Sequence, residues 1–288
     1  MSFAYRQARF ICGKLSGIKS SEEIKMAICE IHLGNNNALG KMTSFMAILP
    51  EGQGKGPFPV FYLLHGLSDN HTAWARRTSV ERYVDGLPLI VVMPNSERGW
   101  YSDAQDLRNQ NFETLIVRDI VGFVDNNFQT IASREGRVIA GLSMGGYGAM
   151  KLALKHPDMF CAAVSHSGAV EFASRSFVQA GDGERGEDWL REFVPIFGEN
   201  PQGSDNDVFA LAQRGESSTR PALRIDCGTE DFLIESNRHF HAHLQKLGIE
   251  HEYAEHPGEH NWEYWDEHVK ETIAFFKREL KLNKEPEA

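Results

Sequence analysis

A serine between glycines is the first feature of this sequence that could do chemistry. Ser143 stands in the run GLSMGG, directly after the apolar stretch RVIAG and before residues with helical spacing. A strand, a sharp turn and a helix are the context in which G-x-S-x-G presents a serine hydroxyl at the edge of a sheet. Side chains at Gly141 and Gly145 would clash where strand and helix approach. The pattern alone also occurs where a serine merely caps a helix, so it requires catalytic partners.

Two downstream residues could supply those partners. A serine hydroxyl is a weak nucleophile near neutral pH and needs a histidine to accept its proton and a carboxylate to orient the histidine. After a strand-to-helix serine turn of this kind, the chain order is nucleophile, acid, histidine. Asp231 follows the apolar run ALRIDCG, and His260 follows in the loop PGEHNW. The sequence therefore predicts a catalytic triad of Ser143, Asp231 and His260.

Other residues compete for the same roles. Asp226 is the second choice for the acid, but as a strand residue it would project sideways from the sheet, and Glu230 is less well matched. His65 could be mistaken for the base, although it precedes Ser143 in the chain. The pair His65-Gly66 is more typical of a residue pair that shapes a loop.

Acyl transfer also needs two N–H donors where the carbonyl oxygen becomes negative. Met144, the residue after the nucleophile, would supply one, and the Leu67 N–H in HGLSDN would supply the other. Trp100 follows the apolar run LIVVM and is a candidate pocket wall, with a buried packing aromatic as the alternative.

A histidine cluster on a predicted helix raises the question of a metal. Of His239, His241 and His243, only the first and third share a helical face, and no carboxylate stands at ligand spacing. A solvated helix surface is the preferred interpretation. With no phosphate-binding loop in the sequence either, we predict an enzyme without a cofactor or metal.

The elements that must position these residues alternate along the chain. Short apolar runs at 60–64, 89–93, 137–141, 161–165 and 222–228 are typical of strands covered on both faces. Segments 27–33 and 42–49 predict an antiparallel start, and 250–254 a last strand. Helical spacing occurs at 115–124, 149–155, 234–247 and from Trp262 onward. Strand then helix, repeated, predicts an α/β fold with a doubly wound, mostly parallel sheet.

The domain organisation follows from where this alternation breaks. We predict a polar N-terminal extension over residues 1–25 and one domain over residues 26–288. Residues 170–215 carry glycines, charges and aromatic residues, and an insertion after a strand's carboxyl end lies over the ligand crevice of such a sheet. We predict a small lid there, with a plain surface loop as the alternative.

Composition limits the partners. The formal net charge of −10 and pI of about 5.7 disfavour nucleic acid, which requires a basic face, and suit a small uncharged substrate. No apolar stretch reaches the length of a signal peptide core or of a membrane span, so a cytoplasmic protein without a membrane partner is expected. The oligomeric state stays open, a homo-oligomer included.

Six motifs together carry a family resemblance: HGLSDN, IVVMPN, GWYSDA, GLSMGGYGAMKLAL, CGTEDFLI and GEHNW, in this order. From about residue 27 to 280, the chain resembles the esterase D/putative esterase family of α/β-hydrolases, and within it the bacterial tributyrin-type acetyl esterases. The resemblance implies a triad on Ser143, Asp231 and His260. It also implies an oxyanion hole on Leu67 and Met144.

The same family includes S-formylglutathione hydrolases, feruloyl and acetylxylan esterases, and mycolyltransferase relatives. S-formylglutathione hydrolases usually carry Gln where this chain has Cys227 before Gly228, and this departure disfavours a thioesterase. We predict a serine carboxylesterase that hydrolyses short-chain acyl esters of small molecules through an acyl-enzyme. The alternative within the family is an S-formylglutathione hydrolase-type thioesterase or a feruloyl/acetylxylan esterase. The alternatives from other classes are an acyltransferase on the same triad and a non-catalytic binding protein.

Overall fold

An eight-stranded sheet organises the part of the chain that the computed structural model describes, residues 27–50, 52–174 and 186–282. The strands are β1 (Ala27–Leu33), β2 (Thr43–Leu49), β3 (Val60–Leu64), β4 (Ile90–Pro94), β5 (Arg137–Leu142), β6 (Ala162–His166), β7 (Ala222–Gly228) and β8 (Glu252–His256). Their order in the sheet is β1-β2-β4-β3-β5-β6-β7-β8. β2 pairs antiparallel with β1 and with β4, and the other pairs are parallel. The predicted α/β fold and its antiparallel start are confirmed.

Helices cover both faces of this sheet. They are α1 (Ala73–Arg77), α2 (Val80–Tyr83), α3 (Phe112–Thr114), α4 (Val121–Asn127), α5 (Met144–Lys155), α6 (Gly186–Phe197), α7 (Val208–Arg214), α8 (Ile234–Lys246) and α9 (Trp262–Glu279). A π-helical segment, Leu115–Ile120, joins α3 to α4. None of the described helices is long and apolar enough to cross a membrane.

Two cores, one on each face, explain why the central strands are apolar throughout. In β3, Tyr62 and Leu64 belong to the core beneath α4, α5 and α8, whereas Phe61 and Leu63 belong to the core beneath α1, α2 and α9. Successive side chains of a strand point to opposite faces. Because both faces are covered, polar side chains are disfavoured at every position of the strand.

Several element boundaries differ from the sequence prediction, those of the last strand and of α5 among them. The last strand begins at Glu252, two residues later than predicted, because it pairs in register with β7 from Arg224 onward. His251 therefore precedes the strand, and its Nδ1 lies 2.7 Å from the Ile249 carbonyl oxygen. The strand ends at His256, two residues beyond its predicted end. The helix predicted over residues 149–155 begins five residues earlier, at Met144.

Two predicted regions fall wholly or partly outside the described residues. The N-terminal extension 1–25 is one of them, and residues 175–185 of the predicted lid are the other. In the rest of that insertion, Phe193 and Phe197 of α6 are buried, and Glu192 forms an ion pair with Arg98.

Candidate active site

The turn between β5 and α5 holds Ser143 in a conformation that few side chains adopt. Its φ is +53° and its ψ is −116°, a strained combination for a residue with a Cβ. A Cβ on Gly141 would lie 2.5 Å from the Gly145 carbonyl, and one on Gly145 would lie 2.5 Å from the Leu64 carbonyl oxygen. Both glycines are therefore required by the close approach of strand and helix, as the sequence predicted.

His260 lies within hydrogen-bonding distance of both predicted partners. Its Nε2 is 3.0 Å from the Ser143 Oγ, and its Nδ1 is 2.8 Å from Asp231 Oδ2. An ionised carboxylate only accepts hydrogen bonds, so Nδ1 carries the proton and Nε2 is the acceptor for the serine hydroxyl. This is the tautomer that a general base requires.

The surroundings of Asp231 keep it ionised. Burial opposes its charge, but the hydrogen bond and charge of His260, together with the Leu233 N–H, outweigh this and hold the pKa of Asp231 below its usual value. The Leu233 N–H donates to Oδ1 at 2.8 Å while His260 binds Oδ2. The carboxylate is thus fixed at both oxygens.

The loops that carry Asp231 and His260 meet through glycine. A Cβ on Gly228 would lie 2.1 Å from the Gly258 carbonyl oxygen, so only glycine permits the loops after β7 and β8 to touch. Directly after His260, the Asn261 side chain accepts a hydrogen bond from the Tyr264 N–H and caps α9. This cap fixes the point at which the histidine loop enters the helix.

The loop after β3 lies against the serine turn. A Cβ on Gly66 would contact Leu142 Cδ1 at 2.7 Å, and Leu67 lines the same cavity as Ser143. Met144 opens α5, where the helix itself provides no acceptor for the first N–H groups. Leu67, on the loop after β3, and Met144, at the start of α5, therefore both lie beside Ser143.

His65 stabilises the loop after β3 through hydrogen bonds at both of its ring nitrogens. Its Nε2 accepts from the Ser96 N–H at 2.9 Å, and its Nδ1 donates to the Gly66 carbonyl at 2.7 Å. Burial lowers the pKa of His65 to about 4, so the ring is neutral near pH 7. Because both ring nitrogens are hydrogen-bonded to backbone groups, His65 joins the loops after β3 and β4 and has no nitrogen left to act as the base for Ser143.

A cavity of about 730 Å³ opens at the serine. Its lining includes aromatic rings, charged groups, the serine turn and the loop after β3. They are Gly66, Leu67, Ser68, Asp69, Arg76, Arg77, Leu142, Ser143, Phe232, His260, Asn261, Trp262, Glu263 and Trp265. Nε2 of His260, the serine hydroxyl and Leu67 thus all face one space large enough for a small ester.

Trp100 does not line this cavity, contrary to the preferred prediction. Only 3% exposed, it stacks on Phe172 with ring centroids 4.1 Å apart and contacts Tyr147, Phe193 and Phe197 edge-on. Its backbone φ is +53°. Trp100 instead anchors α6 to the body of the protein, and no described residue of the predicted lid lines the cavity at Ser143.

The histidines of α8 each have a separate partner. His239 pairs with Glu171, His241 with His251, and His243 with the Phe209 carbonyl. They do not converge on one point, as expected from their spacing, although His241 and His243 are partly buried rather than solvated.

Another group could in principle hold a metal ion. His256, His268 and Glu271 offer ligand atoms within 4.8 Å of one another. However, the two imidazole rings stack at 4.1 Å and are only 16° from parallel, so their in-plane lone pairs run side by side instead of converging. Arg224 already pairs with Glu271. This cluster is therefore poorly suited to a cation.

Sequence reasoning missed a second histidine–carboxylate pair. His166 Nδ1 lies 2.8 Å from Asp226 Oδ1, and both residues are fully buried. Nε2 of His166 bonds to Thr272, and the Tyr264 hydroxyl donates to Asp226. His166 and Asp226 are directly opposite each other in the register of β6 and β7. The signal that could have revealed this pair is the presence of an ionisable residue in each of two mostly apolar strands, β6 and β7.

Comparisons with known proteins agree with this geometry. The sequence profile of the family described as "Putative esterase" matches residues 36–276. An acetyl esterase of Caldicellulosiruptor saccharolyticus is 28% identical over 257 residues, which are 85% of this chain and 96% of that protein.

Two solved structures from Staphylococcus aureus are also similar. The fluorophosphonate-binding serine hydrolase F has 28% identity and a TM-score of 0.76, with 87% of this chain and 98% of that chain covered. An S-formylglutathione hydrolase has 27% identity and a TM-score of 0.73 with the same coverage. The predicted resemblance is confirmed: this chain belongs to the Putative esterase family and has the fold of its serine hydrolases.

Proposed function

We propose that this protein is a serine carboxylesterase that hydrolyses short-chain acyl esters, with Ser143 as nucleophile, His260 as general base and Asp231 as the group that orients the histidine. The observation that carries this proposal is the continuous chain of hydrogen bonds from Ser143 Oγ through His260 to Asp231, at 3.0 Å and 2.8 Å. The chain ends at a cavity, where a substrate carbonyl can approach the hydroxyl.

In the first half-reaction, Nε2 of His260 takes the hydroxyl proton as Ser143 Oγ bonds to the ester carbonyl carbon. The carbonyl oxygen becomes negative and accepts hydrogen bonds from the N–H groups of Leu67 and Met144. Each such donor stabilises the transition state by about 3 kcal/mol. Nε2 then returns the proton to the alcohol oxygen as the carbon–oxygen bond breaks, which leaves an acyl group on Ser143.

Water completes the cycle. His260 removes a proton from a water molecule, the oxygen attacks the acyl carbon, and the same two N–H groups stabilise the oxyanion. The proton then passes from Nε2 to Ser143 Oγ as the carboxylic acid leaves. Throughout, the buried charge of Asp231 stabilises the protonated imidazole.

The substrate class is inferred from the relatives and the charge of the chain. The acetyl esterase relative favours a short acyl group, and the net charge of −10 favours a small-molecule partner over nucleic acid. Every step uses only groups of this chain and water, so the proposed reaction needs no cofactor. A cytoplasmic location remains a prediction.

A thioesterase is the second candidate, because a solved S-formylglutathione hydrolase is 27% identical to this chain. The test is a hydrolysis panel of p-nitrophenyl esters from acetate to octanoate, a feruloyl ester and S-formylglutathione. We expect the highest kcat/KM for the shortest p-nitrophenyl esters. A higher kcat/KM for S-formylglutathione would establish the thioesterase instead.

The control is Ser143→Ala, for which kcat should fall by about 10⁴-fold or more because the covalent pathway is lost. Activity unchanged in that variant would remove Ser143 from the mechanism. Addition of small alcohols with product analysis separates hydrolysis from acyl transfer.

A further inference from the structure

Phe232 is unusual among the apolar side chains because it faces solvent beside the site. It is 77% exposed, the highest value among the large hydrophobic residues of the described chain. It follows Asp231 directly and lines the cavity that opens at Ser143.

The ring of Phe232 lies against the imidazole of His260. The two ring centroids are 4.5 Å apart with a tilt of 49°. The buried Trp265 contacts the same imidazole edge-on at 4.9 Å. Of the two aromatic rings in contact with His260, Trp265 is buried and Phe232 is exposed to solvent.

The backbone around Phe232 is held in place on both sides. Asp231 accepts from the Leu233 N–H through its side chain and from the Ile234 N–H through its carbonyl oxygen. These bonds form the turn into α8. The exposed ring is therefore presented by a fixed backbone that also holds the carboxylate bound to His260.

The chemistry of ester cleavage decides which part of a substrate would meet this ring. The oxyanion points to the N–H groups of Leu67 and Met144, and the alcohol oxygen must point to Nε2 of His260 to receive its proton. The group attached to that oxygen therefore extends beside the imidazole, along the wall that Phe232 provides. An aromatic ring there binds apolar and aromatic groups in preference to small ones.

We propose that Phe232 is a specificity-determining residue that binds the alcohol portion of the ester and selects esters of aromatic or bulky apolar alcohols. This inference rests on the proposed esterase function. Binding of the alcohol covers the exposed ring and removes its apolar surface from water. The acyl portion is bound elsewhere, so acyl selectivity does not depend on Phe232.

The test compares two acetate esters that differ only in the alcohol. The ratio of kcat/KM for benzyl acetate to that for ethyl acetate is measured for the wild-type protein, Phe232→Leu and Phe232→Ala. Since kcat/KM includes the step in which the alcohol leaves, it reports contacts to that group. We expect the ratio to fall about five- to tenfold in Phe232→Ala, with a smaller fall in Phe232→Leu.

Met42→Ala is the matched control, because Met42 is a large apolar side chain with 69% exposure that lies outside the cavity. Its ratio should equal that of the wild-type protein. A second ratio, ethyl butyrate to ethyl acetate, should be the same in Phe232→Ala and in wild type.

Three results have distinct meanings. If Phe232→Ala lowers kcat/KM for both acetates equally, the ring only positions His260 and the inference is wrong. If the butyrate ratio changes while the benzyl ratio does not, Phe232 binds the acyl group and the inference is also wrong. If the wild-type protein cleaves neither acetate, the proposed esterase function itself has failed, and the inference falls with it.

Discussion

Two histidine–aspartate pairs lie close together in this protein, and they differ in what their second imidazole nitrogen contacts. His260 binds Asp231 at 2.8 Å and reaches Ser143 at the cavity, with 17% of its side chain exposed. His166 binds Asp226 at the same distance, but its other nitrogen contacts Thr272 in the interior, and its exposure is zero.

The difference shows that a histidine–carboxylate pair is not in itself a catalytic device. The pair His166–Asp226 joins β6 to β7 and, through Thr272 and Tyr264, joins both strands to α9. The His166 carbonyl also accepts from the Ser143 N–H at 2.9 Å. The inner pair, His166–Asp226, therefore supports the strands beneath the serine turn. The outer pair, His260–Asp231, is placed to act on a substrate.

The largest effect on activity is expected from substitution of Asp231, the carboxylate of the outer pair. Asp231→Asn should lower kcat for p-nitrophenyl acetate by about 10³- to 10⁴-fold, because the amide no longer holds the tautomer in which Nε2 accepts the serine proton. Its free energy of unfolding should fall less than that of Asp226→Asn, because the amide oxygen of the asparagine can still accept the hydrogen bond from the Leu233 N–H. A loss of less than tenfold in kcat would show that Asp231 does not orient the base.

Substitution of Asp226, the carboxylate of the inner pair, should affect stability more than activity. Asp226→Asn removes a buried charge that His166 and Tyr264 contact, and we expect the free energy of unfolding to fall by about 3 kcal/mol. Steady-state kinetics below the unfolding temperature should stay within about tenfold of wild type, since Asp226 does not contact His260. A kcat as low as that of Asp231→Asn would contradict the assignment of a structural role to one pair and a catalytic role to the other.

A smaller effect on the free energy of unfolding is expected when the pH is lowered. Burial opposes ionisation of both carboxyls, but the hydrogen bond and charge of the paired histidine outweigh it and lower each pKa. A carboxyl with a lowered pKa stabilises the folded state above its unfolded pKa of about 4, and this stabilisation is lost as the pH falls through the folded value. Each such group contributes up to about 1.4 kcal/mol per pH unit.

Urea unfolding between pH 5 and pH 2.5 measures this contribution. The free energy of unfolding of Asp226→Asn should decline less steeply with acid than that of wild type. Parallel curves would mean that the pKa of Asp226 is not lowered by folding.

The fold was largely readable because its strands are covered on both faces. Val60–Leu64 and Arg137–Leu142 contain continuous apolar runs, which are typical of strands in a covered parallel sheet. The start of β8 was not readable, since its residues are polar and its register is set by hydrogen bonds to β7, a tertiary contact. The sequence likewise contained no signal for the π-helical turn at Leu115–Ile120.

The residues of the candidate site also divide into those that the sequence predicted and those that it could not predict. The proximity of Ser143, Asp231 and His260 could be predicted, because the proposed chemistry fixes their types and the fold fixes their order along the chain. Trp100 could not be assigned correctly, because an aromatic residue after a strand is compatible with a pocket wall and with a core. Its burial among Phe172, Phe193 and Phe197 depends on α6, which is distant in the sequence.

Covalent labelling tests the central claim most directly. The protein is treated with a fluorophosphonate, and the adduct is mapped by peptide mass spectrometry in wild type, His260→Ala and Asp226→Asn. The account predicts one adduct on Ser143 in wild type, a rate reduced by about 10³-fold or more in His260→Ala, and a near-normal rate in Asp226→Asn. An adduct on another residue, or a rate unchanged in His260→Ala, would contradict the claim that His260 activates Ser143.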